Sequence, residues 1–91
     1  MSASAAEEKI KLAHDLYGMR SAAKLLDGDK YPASLADYKA VIKGLLPENG
    51  GNHISAFVAA SKKLVDEYGD RATGSVLRLG AAAVELMEGH D

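Results

Sequence analysis

The residues of this chain best suited to holding a metal or moving a proton near neutral pH are three histidines, His14, His53 and His90. None has a histidine or carboxylate three or four residues away, the spacing that stacks two ligands on one helix face. His14 adjoins Asp15, but neighbouring positions point apart on a helix. Each histidine therefore reads as a surface or half-buried structural residue, and no metal site is expected. The absence of cysteine removes disulfides, thiolate nucleophiles and cysteine-ligated metals. Gly50-Gly51-Asn52 could offer backbone N–H groups to an anion, yet no lysine-serine or lysine-threonine pair completes a nucleotide loop, and a simple connection is the reading. Thr73-Gly74-Ser75 lacks the strand-to-helix setting of a nucleophile elbow. Thirteen acidic residues supply many carboxylate pairs, and nothing in their spacing selects two for one cleft. The expectation is a protein with no catalytic residue and no cofactor, and not an enzyme.

The elements that would position any site are helical throughout. Ser4 and Glu7 have the spacing of a reciprocal cap, and Leu12, Leu16, Met19, Ala23 and Leu26 then follow at steps of three and four, widened by Ile10, Ala13 and Tyr17. Asp27-Gly28-Asp29 closes this helix. Tyr31-Pro32 opens a second, with Ser34 as a competing cap; Leu35, Tyr38, Ile42 and Leu45 form its stripe, and Pro47 ends it. Asn52 can cap a third, whose Ile54, Phe57, Val58, Leu64, Val65 and Tyr68 recur with the same period and which Gly69 ends. Asp70 or Thr73 can cap a fourth. The pattern predicts an all-α fold, a compact four-helix bundle-like domain with helices at about 5–27, 33–46, 53–68 and 71–88. Residues 1–91 form one domain in this reading, with 1–4 and 89–91 as flexible ends. Short links favour antiparallel neighbours.

Composition sets the outer limits. With 91 residues, 47% hydrophobic and 26% charged, the chain belongs with ordinary globular domains and has room for one modest core. Eleven basic and thirteen acidic residues give a formal charge of −2, a poor start for neutralising phosphates, so nucleic acid is disfavoured as a partner. The opening MSASAAEEK has no basic start followed by an apolar stretch, and no run approaches the roughly eighteen apolar residues of a membrane span. The expected setting is cytoplasmic, without a membrane.

The fourth helix is unusual. Between Val76 and Met87 only Arg78 and Glu85 are strongly polar. Val76, Leu79, Ala83 and Leu86 make one apolar stripe, while Leu77, Gly80, Val84 and Met87 make another about 100° around the helix. Two arrangements would cover both: a central helix wrapped by the other three, or an interface with a second copy or another protein through Leu77, Gly80, Val84 and Met87. In either case Gly80 costs about 1 kcal/mol relative to alanine in mid-helix, so the backbone should need the room. The leading functional expectation is a non-catalytic helical protein–protein interaction module of adaptor, inhibitor, immunity or regulatory type, homodimeric through helix 4. A small-ligand-binding bundle using the space around Gly80 is an alternative.

Two further patterns bear on partners. Leu64 to Leu79 resembles the helix-turn-helix of bacterial transcription regulators over about sixteen residues, through Gly69 at the turn followed by Arg71, Ala72 and Thr73 and then an apolar residue. The resemblance implies weak DNA binding with Arg71, Thr73 and Arg78 as contacts. It departs from the pattern at Asp66, at Val76, one position late for the shared core, and at Asp70, which would face phosphate. The basic pairs Arg20/Lys24 and Lys39/Lys43, each at i,i+4, could line one edge of helices 1 and 2 for an acidic partner, or simply form a solvated face.

Overall fold

Local chemistry sets where each helix starts and stops. A computed structural model describes residues 2–91, with side chains from Asp15 onward. Its elements are α1 (Ser2–Asp27), α2 (Tyr31–Leu45), α3 (His53–Tyr68) and α4 (Thr73–Met87), linked by short 3-10 turns at Gly28–Lys30, Pro47–Asn49 and Gly69–Ala72. There is no strand among the described residues. The Ser4–Glu7 cap, the apolar positions 10, 12 and 13, and His14 lie outside the described side chains.

Asn52 caps α3 as expected, its side-chain oxygen accepting the Ser55 N–H at 2.9 Å. Gly69 ends α3 at φ +59, a conformation costly for residues with a Cβ. At the end of α4, Gly89 adopts φ +84, its N–H donates to the Leu86 carbonyl, and the His90 N–H returns to the Glu85 carbonyl at 2.8 Å. That pattern satisfies two carbonyls a helix would otherwise leave unpaired.

Three expectations about helix starts change. The second helix begins at Tyr31 rather than after Pro32, because the 3-10 turn delivers Lys30 and Tyr31 already in helical geometry and outweighs the preference proline imposes on its predecessor. Ser34 therefore lies inside α2 and does not cap it. Neither Asp70 nor Thr73 caps α4 through its side chain; the Thr73 hydroxyl instead donates back to the Asp70 carbonyl at 2.8 Å.

The core is organised around α4. Leu79 to Val84 and Leu86 are all buried, since α1, α2 and α3 each pack against this one helix. α1 contributes Leu16 and Ala23, α2 contributes Leu35 and Ile42, and α3 contributes Ala56, Phe57 and Ala60. Consecutive helices α2 and α3 also touch each other, whereas α1 and α2 share little contact. The hub thus hides Leu79, Ala83 and Leu86 of one apolar stripe and Gly80 and Val84 of the other within one chain, while Val76 and Leu77 are half-buried and Met87 stays exposed. Among the described residues, no helix is long and apolar enough to cross a membrane.

Several expected core residues are displaced, Leu26 the most. Leu26 stands 59% exposed, because the inner seam of α1 steps from Ala23 to Asp27, whose carboxylate is drawn to Arg78 on α4. A rotation of about 100° between adjacent helical positions then turns Leu26 outward. Leu25 beside it is 87% exposed. On α3, Val58 and Val65 are also turned largely to solvent.

Candidate functional site

The interface residues expected on helix 4 separate into two groups. Gly80 and Val84 are buried inside the protomer and present nothing to a second molecule, which corrects their assignment to an external face. The reason is the crossing of α1: a Cβ at Gly80 would lie 2.5 Å from Met19 Sδ, 2.9 Å from Met19 Cβ and 3.3 Å from Leu16 Cδ2. The space around Gly80 is therefore filled by the chain's own side chains, and a small ligand has no room there. Leu77 is half-buried and Met87 is 40% exposed at the helix end.

The candidate basic surfaces are partly engaged within the chain. Arg20 forms ion pairs with Glu88 and, at 3.9 Å, with Glu85, and the bond to Glu88 raises its already high pKa. Lys24 lies over the ring of Tyr31 at 5.5 Å. Lys43 approaches Asp91 at 3.4 Å, while Lys39 has no carboxylate partner among the described residues. Of the four, Arg20 and Lys43 are ion-paired, whereas Lys24 and Lys39 have no carboxylate partner among the described residues. Of the candidate DNA contacts, Arg78 is held in a two-pronged bond to Asp27, Nη2 to Oδ1 at 2.7 Å and Nε to Oδ2 at 2.9 Å. Arg78 is unavailable to bases in this arrangement, and its bond holds the Asp27 carboxyl below the usual range, helped by Ser34. Thr73 is engaged with Asp70, leaving Arg71, which lies over the Tyr68 ring at 6.0 Å.

A second polar cluster was missed by a search at helical spacings. Ligand atoms of Glu85, Glu88 and His90 all lie within 4.8 Å of one another. The turn at Gly89 swings His90 back over the helix end, and a left-handed glycine between a glutamate and a histidine was the signal available. Arg20 already brings positive charge to both glutamates, and the Tyr31 hydroxyl donates to Glu85 at 3.2 Å. Burial, followed by the neighbouring negative charge of Glu85, pushes the Tyr31 phenol up to about 12. The cluster is thus an intramolecular clamp that fastens α1 and α2 to the end of α4.

The surface best shaped to receive another molecule lies between α2 and α3. Ala40, Val41, Gly44 and Leu45 form one wall, Ala60, Lys63, Leu64 and Glu67 the other, and Leu79 and Ser75 of α4 the floor. This open groove encloses about 650 Å³ and is predominantly apolar. Tyr38 and Ser75 face each other at its floor with their hydroxyl oxygens 3.4 Å apart. Leu64 and Ser75 also border a smaller recess of about 370 Å³ completed by Tyr68, Arg71 and Ala72, so the groove continues toward a cation at one end. Gly44 has a meaning here that Gly80 does not share. It is helical, and a Cβ built on it would meet nothing within 4 Å, so neither backbone conformation nor internal packing calls for glycine. What the missing side chain does is lower one wall of the groove. No histidine lines the groove, and its chemistry is that of apolar contact, with Lys63 and Glu67 in one wall and Arg71 at one end. The groove was hidden from sequence reasoning because its residues come from three helices whose relative rotation no periodicity fixes.

Comparison with protein-family models, with curated proteins and with solved structures finds no match to this chain.

Proposed function

We propose that the protein is a non-catalytic interaction module of the cytoplasm, in which four helices act as one bundle-like unit and the α2/α3 groove takes an apolar segment of another protein molecule. The observation that carries this reading is the open apolar groove with a helical glycine in its wall that the chain itself does not need. A helix laid into such a groove gains affinity from apolar side chains at positions i, i+3 and i+4. Association through this groove replaces association through the buried face of α4. The test is occupancy: an environment-sensitive apolar dye should bind the wild-type protein saturably, and Gly44→Leu, whose side chain enters the groove, should abolish that binding while circular dichroism and melting show an intact fold. Equal dye binding by the variant would overturn the reading.

A small-ligand reading draws on the groove's volume, which lies within the roughly 300 to 1,000 Å³ of small-molecule sites. It moves the ligand from Gly80, where Met19 and Leu16 fill the space, to the α2/α3 groove. The DNA-binding alternative is left with Arg71 once Arg78 and Thr73 are engaged elsewhere. A gel shift at low salt, where phosphate contacts are strongest, should show no retardation.

A further inference from the structure

We infer that Tyr38 and Ser75 are the recognition point of the α2/α3 groove, where together they hold the oxygen of an apolar, uncharged small molecule that carries one carbonyl group. The inference rests on the small-ligand reading of the groove and names the class of ligand.

The two hydroxyls are the part of the groove that hydrocarbon contact does not account for. Tyr38 comes from the middle of α2 and Ser75 from the first turn of α4, and both are half-buried at the floor. Their oxygens stand 3.4 Å apart. Hydrogen bonds between hydroxyls close to roughly 2.7 to 2.8 Å, so this contact leaves both groups poorly paired. Among the described residues, Ser75 makes no other side-chain hydrogen bond. An apolar groove with a few convergent polar groups is the usual form of a small-molecule site.

Arg78 decides how the tyrosine acts. Its guanidinium is bonded chiefly to Asp27 and also faces the Tyr38 hydroxyl, and both contacts raise its pKa. A guanidinium can only donate, so the phenol oxygen accepts on that side and its own proton is left to the groove. The Ser75 hydroxyl rotates freely enough to donate in the same direction. Two donors this close can share one acceptor, and a carbonyl oxygen has the two lone pairs to receive them.

The surrounding charges favour a neutral ligand. Lys63 and Glu67 stand one helical turn apart in the same wall, so their fields offset each other. Arg78 is held by Asp27, and Arg71 lies in the adjoining recess over the Tyr68 ring. What the floor offers an occupant is two hydroxyls set in hydrocarbon.

Benzophenone and diphenylmethane test this directly, because they match closely in size and apolar area and differ in the carbonyl oxygen. Titrated into the wild-type protein and followed by NMR shifts of α2 and α4 amides, the ketone should bind at least about tenfold more tightly, since the hydrocarbon leaves the hydroxyls unpaired. Tyr38→Phe and Ser75→Ala should each erase most of that preference, with circular dichroism and melting as controls of the fold. Diphenylacetate, which carries a full negative charge, should bind more weakly than the ketone. Gly44→Leu should exclude all three. A wild type that holds ketone and hydrocarbon alike, a preference that survives in both hydroxyl variants, or diphenylacetate as the tightest ligand overturns the inference. If none of the three binds while the dye still distinguishes the wild type from Gly44→Leu, the groove stands as a site for an apolar protein segment and this ligand class falls. If the dye binds both proteins equally, the groove reading falls with it.

Discussion

Gly80 and Gly44 both stand inside helices, and a methyl group added to each would meet different surroundings. At Gly80 it would collide with Met19 on α1, so the missing side chain is used within the molecule to let two helices cross closely. At Gly44 it would meet open space, and the missing side chain only widens an external groove. The same residue type, with the same propensity cost of about 1 kcal/mol, is thus offset inside the protein in one case and uncompensated in the other. The contrast teaches that a helical glycine must be read from what its absent Cβ would touch.

The contrast is broken most directly by overfilling the crossing. Gly80→Leu should lower stability by about 3 kcal/mol, the upper end of overpacking costs, measured by urea denaturation. An unchanged midpoint would show that the α1–α4 crossing has slack. The alanine pair sharpens the comparison through its sign: Gly44→Ala should raise stability by about 0.5 to 1 kcal/mol, while Gly80→Ala should lower it despite the same gain in helix propensity. Two shifts of the same sign in thermal melts would sink the distinction.

The clamp at the end of α4 gives smaller effects. Tyr31→Phe removes the hydrogen bond to Glu85 and should cost about 1 kcal/mol. With the folded phenol raised to about 12 from its ordinary 10.0, the unfolded chain loses its proton first on going alkaline. The associated stability is complete below pH 10 and drains away as pH rises toward 12. Absorbance titration of the wild type should show a late phenol component that is missing from Tyr31→Phe. Asp27→Asn acts at the other end of the scale: a carboxyl held below its ordinary value contributes stability that is complete above pH 3.8 and is lost as pH falls through the folded value. The variant should melt slightly earlier at neutral pH and show a flatter acid limb, and an unaltered limb would mean the Arg78 pair contributes nothing to folding.

How much of this was legible depended on whether the cause was local. The limits of α3 were readable because Asn52 and Gly69 act on their own backbones, and the prolines and glycines placed the other breaks within a few residues. The doubled apolar character of helix 4 pointed correctly to a helix covered on many sides, but sequence could not say whether the cover came from one chain or two. Leu26 shows why finer detail was lost. Periodicity allows the seam to step by three or by four after Ala23, and only the distant Arg78, by drawing Asp27 inward, decides which. Likewise, the Glu85–Glu88–His90 cluster needs the left-handed turn at Gly89, and the groove needs the packing of three helices on a fourth.

The clamp has a kinetic consequence. Its bonds to α4 join residues 54 and 68 positions apart, Tyr31 to Glu85 and Arg20 to Glu88, and the separate Asp27–Arg78 pair spans 51 positions. Helical segments can form locally within about a microsecond, but these pairings require closure of loops more than fifty residues long. For a small all-helical chain, refolding should therefore be slow, with helical signal rising well before α1 finds its place on the hub.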